Sequence, residues 1–267
     1  MHRYRMPAGM RYSTLAERKQ YYKEEFDFRH FKRWMGDRFT DKIVYAMIPG
    51  FHTGVFQKSQ ARIAKRTILI DEYQSLDDVV RQFMHYLPEA VYYDRGVYTE
   101  VGHPAKAYRS PWKRRWFAGQ ELAFDIDPEN VVCPIHGGLE QKMKSHQGLG
   151  FCWIEFEEVR DQTIRLWEQL EPKYEELALV YSGRGFHIHV RDKRADRMSK
   201  GARRKLARKL IDQGYAIDEW VTAGGSRLIR LPYSLHGMVS RIVLPLSIKQ
   251  AERFDPVKDK KARPSFL

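Results

Sequence analysis

Cysteine is scarce in this chain, and long apolar runs are missing. Only two of the 267 residues are cysteine, which is too few for the disulfide framework of a small secreted domain. No run of about eighteen apolar residues occurs, which excludes an ordinary transmembrane helix. No secretion signal, internal repeat or low-complexity segment is recognisable. We therefore expect a soluble cytoplasmic protein with no membrane partner, whose thiols are available for metal binding.

Acidic residues are too few to balance the basic ones. The chain has 47 Lys and Arg against 34 Asp and Glu, a formal net charge of +13, which favours polyanion binding that weakens with salt. One basic segment alternates tryptophans with cations, as a stacking groove for a single strand would, and supplies the candidate nucleic-acid-binding residues Arg109, Trp112, Lys113, Arg114, Arg115 and Trp116. The alternative is a solvated positive surface, and we favour that alternative for the helical cluster at residues 203–209.

The segment Leu122-Ala-Phe-Asp-Ile-Asp-Pro128 has the composition of a short buried strand that ends in two carboxylates. Residues two apart on a strand point to the same face and are separated by about 6.6 Å. Asp125 and Asp127 therefore face one point, and a cation between them relieves their repulsion. The pair predicts a divalent metal site. The alternative is an exposed strand end before the proline.

A strand–turn–strand pattern follows at residues 177–190. Two apolar strands flank the turn Ser182-Gly-Arg-Gly185, which predicts a β-hairpin. The turn exposes backbone N–H groups, and Ser182, Arg184 and His187 add donors that suit phosphate oxygens. The alternative is that the glycines serve only the turn.

A third segment begins at Asp218 and includes Arg227-Leu-Ile-Arg-Leu-Pro-Tyr-Ser-Leu-His236. With the three segments in this order, the sequence resembles the catalytic small subunit of archaeo-eukaryotic DNA primases. The signatures of that family are Asp-x-Asp, Ser-Gly-x-Gly-x-His, and an Asp followed by Arg-Leu-x-Arg-Leu-Pro-x-Ser-Leu-His. Residues 17–26 and the Phe-Asp-Pro at 254–256 also resemble the family, so the resemblance covers nearly the whole chain.

The resemblance implies that Asp125, Asp127 and Asp218 are catalytic and hold two divalent ions, Mg²⁺ or Mn²⁺. It also places a group of residues around the triphosphate of an incoming nucleotide, namely Ser182, Arg184, His187, Arg230 and His236. Many archaeal relatives have an aspartate where this chain has Gly224. In the family, position 224 is therefore a second candidate, beside position 218, for the third metal-binding carboxylate. Many relatives have lysine where this chain has Met238, so that one phosphate-neutralising charge is either missing or supplied by Arg241.

Both cysteines lie close to histidines in the sequence. Their spacing is C-x2-H-x9-H-x5-C, with nearby glycines that allow the ligands Cys133, His136, His146 and Cys152 to converge. We interpret this group as a tetrahedral structural zinc site without a catalytic role. Primase small subunits commonly carry a zinc knuckle at this place. The alternative is a chance cluster of two thiols and two imidazoles.

Helical and strand patterns mix without regular alternation, which indicates an α+β fold. We predict helices at about 13–25, from 75, at 156–170 and at 199–213, and strands at 43–48, 67–70, 90–93, 121–126, 177–181, 186–190, 227–230 and 241–244. The resemblance implies a primase core, in which an N-terminal αβ unit packs on a divergent RNA-recognition-like unit. We expect a single catalytic domain over residues 1–267, with a zinc-binding insertion at 131–153.

The sequence thus predicts a DNA primase, which synthesises short primers on a single-stranded DNA template from nucleoside triphosphates by two-metal phosphoryl transfer. Such an enzyme would be associated with the nucleoid or a replicon, and would work alone or with a primase large subunit. Three alternatives remain open: a primase-polymerase or end-joining polymerase that extends primers, a catalytically idle single-strand-binding module, and a zinc protein without a nucleic-acid role.

Overall fold

Antiparallel sheets and helices follow one another along the chain, so the predicted α+β class is confirmed. The computed structural model describes residues 4–40, 43–98, 117–145 and 149–267. Its contacts divide the chain into two compact units. Unit A comprises the N-terminal residues up to Met10, Gln120–Ser226 and Leu244–Asp259; unit B comprises Arg11–Gly119, Arg227–Val243 and Lys260–Leu267. The single catalytic domain with an insertion at 131–153 stays a prediction.

In chain order, the described strands are β1 (Tyr45–Ile48), β2 (Ile68–Ile70), β3 (Ala90–Asp94), β4 (Gly96–Tyr98), β5 (Phe117–Gln120), β6 (Leu122–Ile126), β7 (Leu177–Tyr181), β8 (Phe186–Val190), β9 (Leu228–Arg230), β10 (Leu235–His236), β11 (Arg241–Ile242) and β12 (Leu244–Leu246). The described α-helices are α1 (Leu15–Glu24), α2 (Phe28–Met35), α3 (Leu76–Tyr86), α4 (Leu139–Lys144), α5 (Trp153–Leu170), α6 (Lys193–Asp196), α7 (Lys200–Asp212), α8 (Glu219–Thr222) and α9 (Ile248–Ala251). Short 3₁₀ turns lie between them, one of them at Pro128–Asn130.

Unit A is built on an antiparallel sheet with the strand order β12-β7-β8-β6. β7 and β8 are the predicted hairpin, and β6 pairs with the outer side of β8. Alternate residues of β8 face opposite sides of the sheet, and Phe186 packs against Phe156 of α5 at 5.7 Å between ring centroids. His187 therefore lies on the other face from this core, where its partner across β6 is Asp125.

Unit B contains a second antiparallel sheet, with the order β2-β1-β3-β9, and the helices α1, α2 and α3. Helix α1 begins at a capping box, because the Thr14 hydroxyl accepts from the Glu17 N–H while the Glu17 carboxylate accepts from the Thr14 N–H. Aromatic side chains fill the core of this unit, among them Tyr22, Phe28 and Phe83. Large rings bury much apolar area per residue and stabilise a small sheet.

A fully buried arginine organises the loops of unit B. The Arg18 guanidinium donates to the carbonyl oxygens of Pro49, Val55 and Leu87 at 2.8, 2.9 and 3.2 Å, and also to the hydroxyls of Ser13 and Thr53. Burial lowers the pKa of Arg18 to about 10, against the opposing charge of Glu89. The carboxylate of Glu89 in turn accepts from the N–H groups of His52 and Thr53. One cation therefore satisfies several loop carbonyls that no strand or helix pairs.

The sequence located most elements within two or three residues. The predicted helices at 13–25, from 75, at 156–170 and at 199–213 correspond to α1, α3, α5 and α7. The strand predicted at 241–244 was wrong in its extent, because the structure ends β11 at Ile242 and starts β12 at Leu244. β11 pairs with β10 and β12 pairs with β7, so the two halves of one apolar run belong to different strand ladders. The sequence analysis missed α2, although Phe28, Phe31 and Met35 have helical spacing and are buried.

None of the helices described here is long and apolar enough to cross a membrane.

Replacing Arg18 by methionine should destabilise unit B strongly, because the Glu89 carboxylate would lose a positive charge near it and the loop carbonyls would lose their buried donor. We expect a loss of about 3–5 kcal/mol in the free energy of unfolding, measured by urea denaturation. Lys19→Met is the control, since Lys19 is exposed on the same helix and such changes stay within about 0.5 kcal/mol. Equal unfolding midpoints for the two variants would contradict the role given to Arg18.

Candidate functional site

Four carboxylates of unit A come from two neighbouring chain segments. Asp125, Asp127 and Glu129 lie on β6 and the turn after it, and Asp218 caps α8. We call these four residues the acidic cluster. Backbone hydrogen bonds hold the two segments side by side: the Asp218 N–H donates to the Asp125 carbonyl at 2.9 Å, and the Asp127 N–H donates to the Ala216 carbonyl at 3.2 Å. The predicted proximity of Asp218 to the Asp-x-Asp pair thus has a local backbone cause.

The electrostatics of the acidic cluster reflect this crowding. Burial, and then the negative charge of Asp125, raise the pKa of Asp218 above its usual range. Burial and the charge of Asp127 raise the pKa of Glu129 to about 7. Carboxylates that raise one another's pKa in this way are stabilised by added positive charge. A divalent cation would supply such charge, and the carboxylate oxygens are ligands that suit Mg²⁺ or Mn²⁺.

Arg184 provides positive charge to the acidic cluster from within the chain. Its guanidinium donates to Asp127 Oδ2 at 2.7 Å, to Glu129 Oε2 at 3.1 Å and to the Leu149 carbonyl at 2.8 Å. Burial alone would disfavour the charge on Arg184, but the two carboxylates outweigh that effect and raise its pKa. Arg184 therefore orients Asp127. Its predicted role at a nucleotide triphosphate stays a prediction.

The hairpin turn fits tightly against the end of β6. The Ser182 N–H donates to the Gly185 carbonyl at 2.9 Å, and the Gly185 N–H donates to the Ser182 hydroxyl at 3.2 Å. A Cβ atom at position 185 would lie 2.1 Å from the carbonyl oxygen of Ile126, so only glycine fits there. His187 lies beyond the turn, with its Nε2 at 3.4 Å from Asp125 Oδ1. The structure thus brings the first two sequence motifs together.

Arg230 and His236, the other predicted nucleotide-binding residues, belong to unit B. The Arg230 guanidinium lies over the Tyr92 ring at 4.9 Å from its centroid, and His236 is buried in β10. Their place at a nucleotide triphosphate stays a prediction. The candidate nucleic-acid-binding segment with Arg109, Trp112, Lys113, Arg114, Arg115 and Trp116 lies outside the described residues.

A possible metal-binding cluster follows the acidic strand. Within the described part of the chain, Cys133, His136, Cys152 and Glu155 form a group whose ligand atoms all lie within 4.8 Å of one another; the three predicted catalytic aspartates do not form such a group. The two sulfur atoms are 3.9 Å apart, and Cys133 Sγ lies 3.5 Å from His136 Nδ1. Bonds of about 2.3 Å from zinc to sulfur place two tetrahedral ligands about 3.8 Å apart, so this donor set fits zinc.

The local backbone builds this cluster. Two hydrogen bonds between Cys133 and Gly137, of 3.0 and 2.8 Å, close a tight turn that brings His136 back towards the Cys133 sulfur. Gly137 has φ of +73°, a conformation that favours glycine. Cys152 stands at the start of α5, where its N–H donates to Glu155 Oε2 at 2.7 Å.

The fourth member of the cluster in the described residues is Glu155, which was not predicted from the sequence. The predicted ligand His146 lies outside the described residues and stays a prediction. The only signal for Glu155 was its position three residues after Cys152, a spacing that is typical of helix capping as well. Burial raises the pKa of the Cys152 thiol to about 11. A metal would therefore have to displace a proton from this sulfur at neutral pH.

Lys142 joins the metal-binding cluster to the acidic strand, and the sequence analysis missed it. Its side chain is 1% exposed, and its ammonium lies 2.6 Å from Glu155 Oε1. The same ammonium donates to the carbonyl oxygens of Pro128 and Val131 at 2.8 and 2.7 Å. Those carbonyls belong to the turn that carries Glu129 and follows Asp127. One lysine thus fixes the turn of the acidic cluster to the helix that carries Glu155.

No family model matches this sequence. The chain is 47% identical over 268 residues to an uncharacterized DNA primase small subunit-like protein of Archaeoglobus fulgidus, covering 99% of this chain and 94% of that protein. It is 26% identical to the DNA primase small subunit PriS of Pyrobaculum calidifontis, over 68% of this chain and 67% of that protein. The PriS of Methanothermobacter thermautotrophicus is also 26% identical, over 73% of this chain but only 51% of its own length.

The two lysines of α4 give a matched test of the connection between the clusters. Lys142→Met should lower the free energy of unfolding by about 3–5 kcal/mol, because Glu155 loses its buried partner and three turn carbonyls lose a donor. Lys144→Met should change it by less than about 0.5 kcal/mol, since Lys144 is exposed and its ion-pair partner among the described residues, Glu140, is exposed too. Thermal or urea unfolding measures both. The connection is refuted if the two variants unfold alike.

Proposed function

The chain belongs to the family of DNA primase small subunit-like proteins, and we propose that it is a template-directed nucleotidyltransferase that synthesises primers on single-stranded DNA. The observation that carries this proposal is the acidic cluster. Asp125 and Asp127 come from one sequence motif and Asp218 from another, and backbone hydrogen bonds hold the two segments side by side. A binding module gains nothing from carboxylates beside a polyanion, whereas a metal-dependent enzyme requires them.

The substrates of the proposed reaction are a nucleoside triphosphate and the 3′-hydroxyl of a nucleotide that is paired to the template. The hydroxyl oxygen forms a bond to the α-phosphorus, the bond to pyrophosphate breaks, and the hydroxyl proton is released. Divalent ions held by Asp125, Asp127 and Asp218 would activate the hydroxyl and stabilise the charge on the leaving group.

The remaining residues position these groups. Arg184 orients Asp127 through its 2.7 Å hydrogen bond. His187 lies beside Asp125 and, in this proposal, donates to triphosphate oxygens together with backbone N–H groups of the Ser182–Gly185 turn. Arg230 and His236 are proposed to contribute further positive charge and donors. Loss of a histidine should then weaken nucleotide binding more than it slows the chemical step.

The finer parts of the family resemblance remain proposals as well. We propose that the metal of the Cys133, His136 and Cys152 cluster is zinc, because two thiolates and an imidazole suit that ion. It would stabilise the fold next to the acidic strand and take no part in catalysis. We also propose that the sheet of unit A forms the RNA-recognition-like core.

The partners that we propose are a single-stranded DNA template, nucleoside triphosphates and a primase large subunit. The PriS relatives are named as small subunits of a DNA primase, which supports this proposal.

Primer synthesis can be measured directly with the purified chain. We expect it to make oligomers de novo from ribo- or deoxynucleotides on a single-stranded DNA template with Mg²⁺ or Mn²⁺. Asp125→Asn should reduce the rate by a factor of about 10³ or more, because a metal-binding oxygen is lost at the reacting centre. The control is Asp161→Asn, a half-exposed aspartate of α5 outside the acidic cluster.

The product pattern distinguishes the alternatives. Extension of a supplied primer without initiation would favour a primase-polymerase or an end-joining polymerase. Incorporation that survives Asp125→Asn and Asp127→Asn together would overturn the catalytic assignment. Strand binding without any incorporation, even with a large subunit added, would indicate an idle binding module.

The zinc assignment has its own test. We expect about one zinc per chain by atomic absorption, and we expect Cys133→Ser to release the metal and lower the melting temperature. The fourth ligand follows from comparing His146→Ala with Glu155→Gln, since the variant that releases zinc identifies it. Full metal content in Cys133→Ser would show that the cluster is not a zinc site.

A further inference from the structure

A tryptophan is exposed close to the acidic cluster. Trp220 lies in α8, two residues after Asp218, and 67% of its surface is exposed. Its backbone N–H donates to Asp218 Oδ1 at 2.7 Å. An exposed indole offers a large flat apolar surface, which it can bury against a partner.

The indole ring rests on a glycine. A Cβ atom at Gly225 would lie 2.5 to 2.8 Å from three atoms of the Trp220 ring system, so the ring packs directly on the backbone there. The N–H groups of Gly225 and Ser226 donate to the Trp220 carbonyl at 2.9 and 3.3 Å. These contacts fix the orientation of the ring without covering most of it. A preorganised ring loses little conformational freedom when a ligand stacks on it.

Helix α7 brings positive charge to the same place. Arg208 of α7 pairs with Glu219, the residue before Trp220, at 3.1 Å. The same helix exposes several further cations, namely Lys200, Arg204, Lys205 and Lys209. Among the residues that the structure describes, Arg204, Lys205 and Lys209 form no ion pair with a carboxylate. A basic helix beside an exposed, fixed indole matches a strand that offers phosphates and base faces together.

We propose that Trp220 and the exposed cations of α7 form a binding platform for single-stranded DNA, in which a base stacks on the indole and the phosphates follow the helix. This inference rests on the proposed function, because it locates the template strand beside the acidic cluster. It also reverses the expectation that the cluster at residues 203–209 is merely a solvated surface. The sequence contained the residue types, but only the fold shows that the basic helix α7 contacts α8, through the ion pair between Arg208 and Glu219.

The test is a binding titration without divalent ions, so that chemistry cannot occur. A fluorescently labelled oligo-dT is titrated with the unmodified chain and with Trp220→Ala, Trp220→Phe and Phe51→Ala, the last being a half-exposed aromatic of unit B. Stacking on an aromatic contributes about 1–3 kcal/mol per base, so Trp220→Ala should weaken binding by roughly 5- to 150-fold. Trp220→Phe should retain most of the affinity, and Phe51→Ala should leave it unchanged.

The cations give a second measurement with a different signature. Replacing both Arg204 and Lys205 by alanine should lower the slope of log affinity against log salt by about 0.7 for each phosphate that the variant no longer neutralises. Unchanged affinity in Trp220→Ala, or an equal loss in Trp220→Phe and Trp220→Ala, would overturn the platform. Absence of single-strand binding by the unmodified chain would overturn it too.

Failure of the platform and failure of the proposed function give different results. With saturating template, Trp220→Ala should still incorporate nucleotides, with a raised KM for template and an unchanged kcat. The Asp125→Ala/Asp127→Ala variant should bind oligo-dT at least as tightly as the unmodified chain, because it lacks two negative charges near the strand, and it should incorporate nothing. Binding that depends on Trp220 in a chain that never incorporates nucleotides would leave the platform intact and refute only the nucleotidyltransferase.

Discussion

The repulsion between carboxylates is the constraint on which unit A depends. Asp125, Asp127, Glu129 and Asp218 are close enough to raise the pKa of two of their number, and the fold keeps them there with backbone hydrogen bonds on both edges of β6. β8 pairs with one edge, and the segment before α8 pairs with the other. A strand that is paired on both sides cannot move its carboxylates apart to relieve the repulsion. Arg184 relieves part of the repulsion by donating to Asp127 and Glu129 at 2.7 and 3.1 Å.

The metal-binding cluster is connected to the turn that follows β6. Glu155 and Lys142 form a buried ion pair, and the lysine satisfies carbonyl groups of the turn after Asp127. Buried ion pairs add little net stability by themselves, but they enforce one arrangement because the loss of either partner is costly. The metal-binding cluster and the turn after Asp127 are therefore positioned by one set of contacts.

The sequence predicted elements and motifs well, and long-range partners poorly. Periodicity located β7, β8 and α5, since a local pattern is enough to define a strand or an amphipathic helix. The grouping of Asp125, Asp127, Asp218 and His187 could be expected only from the order of the three motifs. Arg184 shows the limit: its residue type suits a phosphate, and the structure places it on two carboxylates. Lys142 carries no sequence signal and Glu155 only its spacing from Cys152, because their partners are set by how α4, α5 and the turn after Asp127 pack.

The chain order of unit A has a consequence for its biosynthesis. The strand β12, which completes the sheet beside β7, comes from residues that follow all of the carboxylates in the sequence. During translation, the acidic cluster, whose last member is Asp218, therefore leaves the ribosome before the strand that closes its sheet. Pairing of this kind is non-local and slow to form, since loop closure precedes the gain from contacts. Until then one edge of β7 stays unpaired, which makes the interval before β12 arrives the vulnerable stage in the synthesis of this protein.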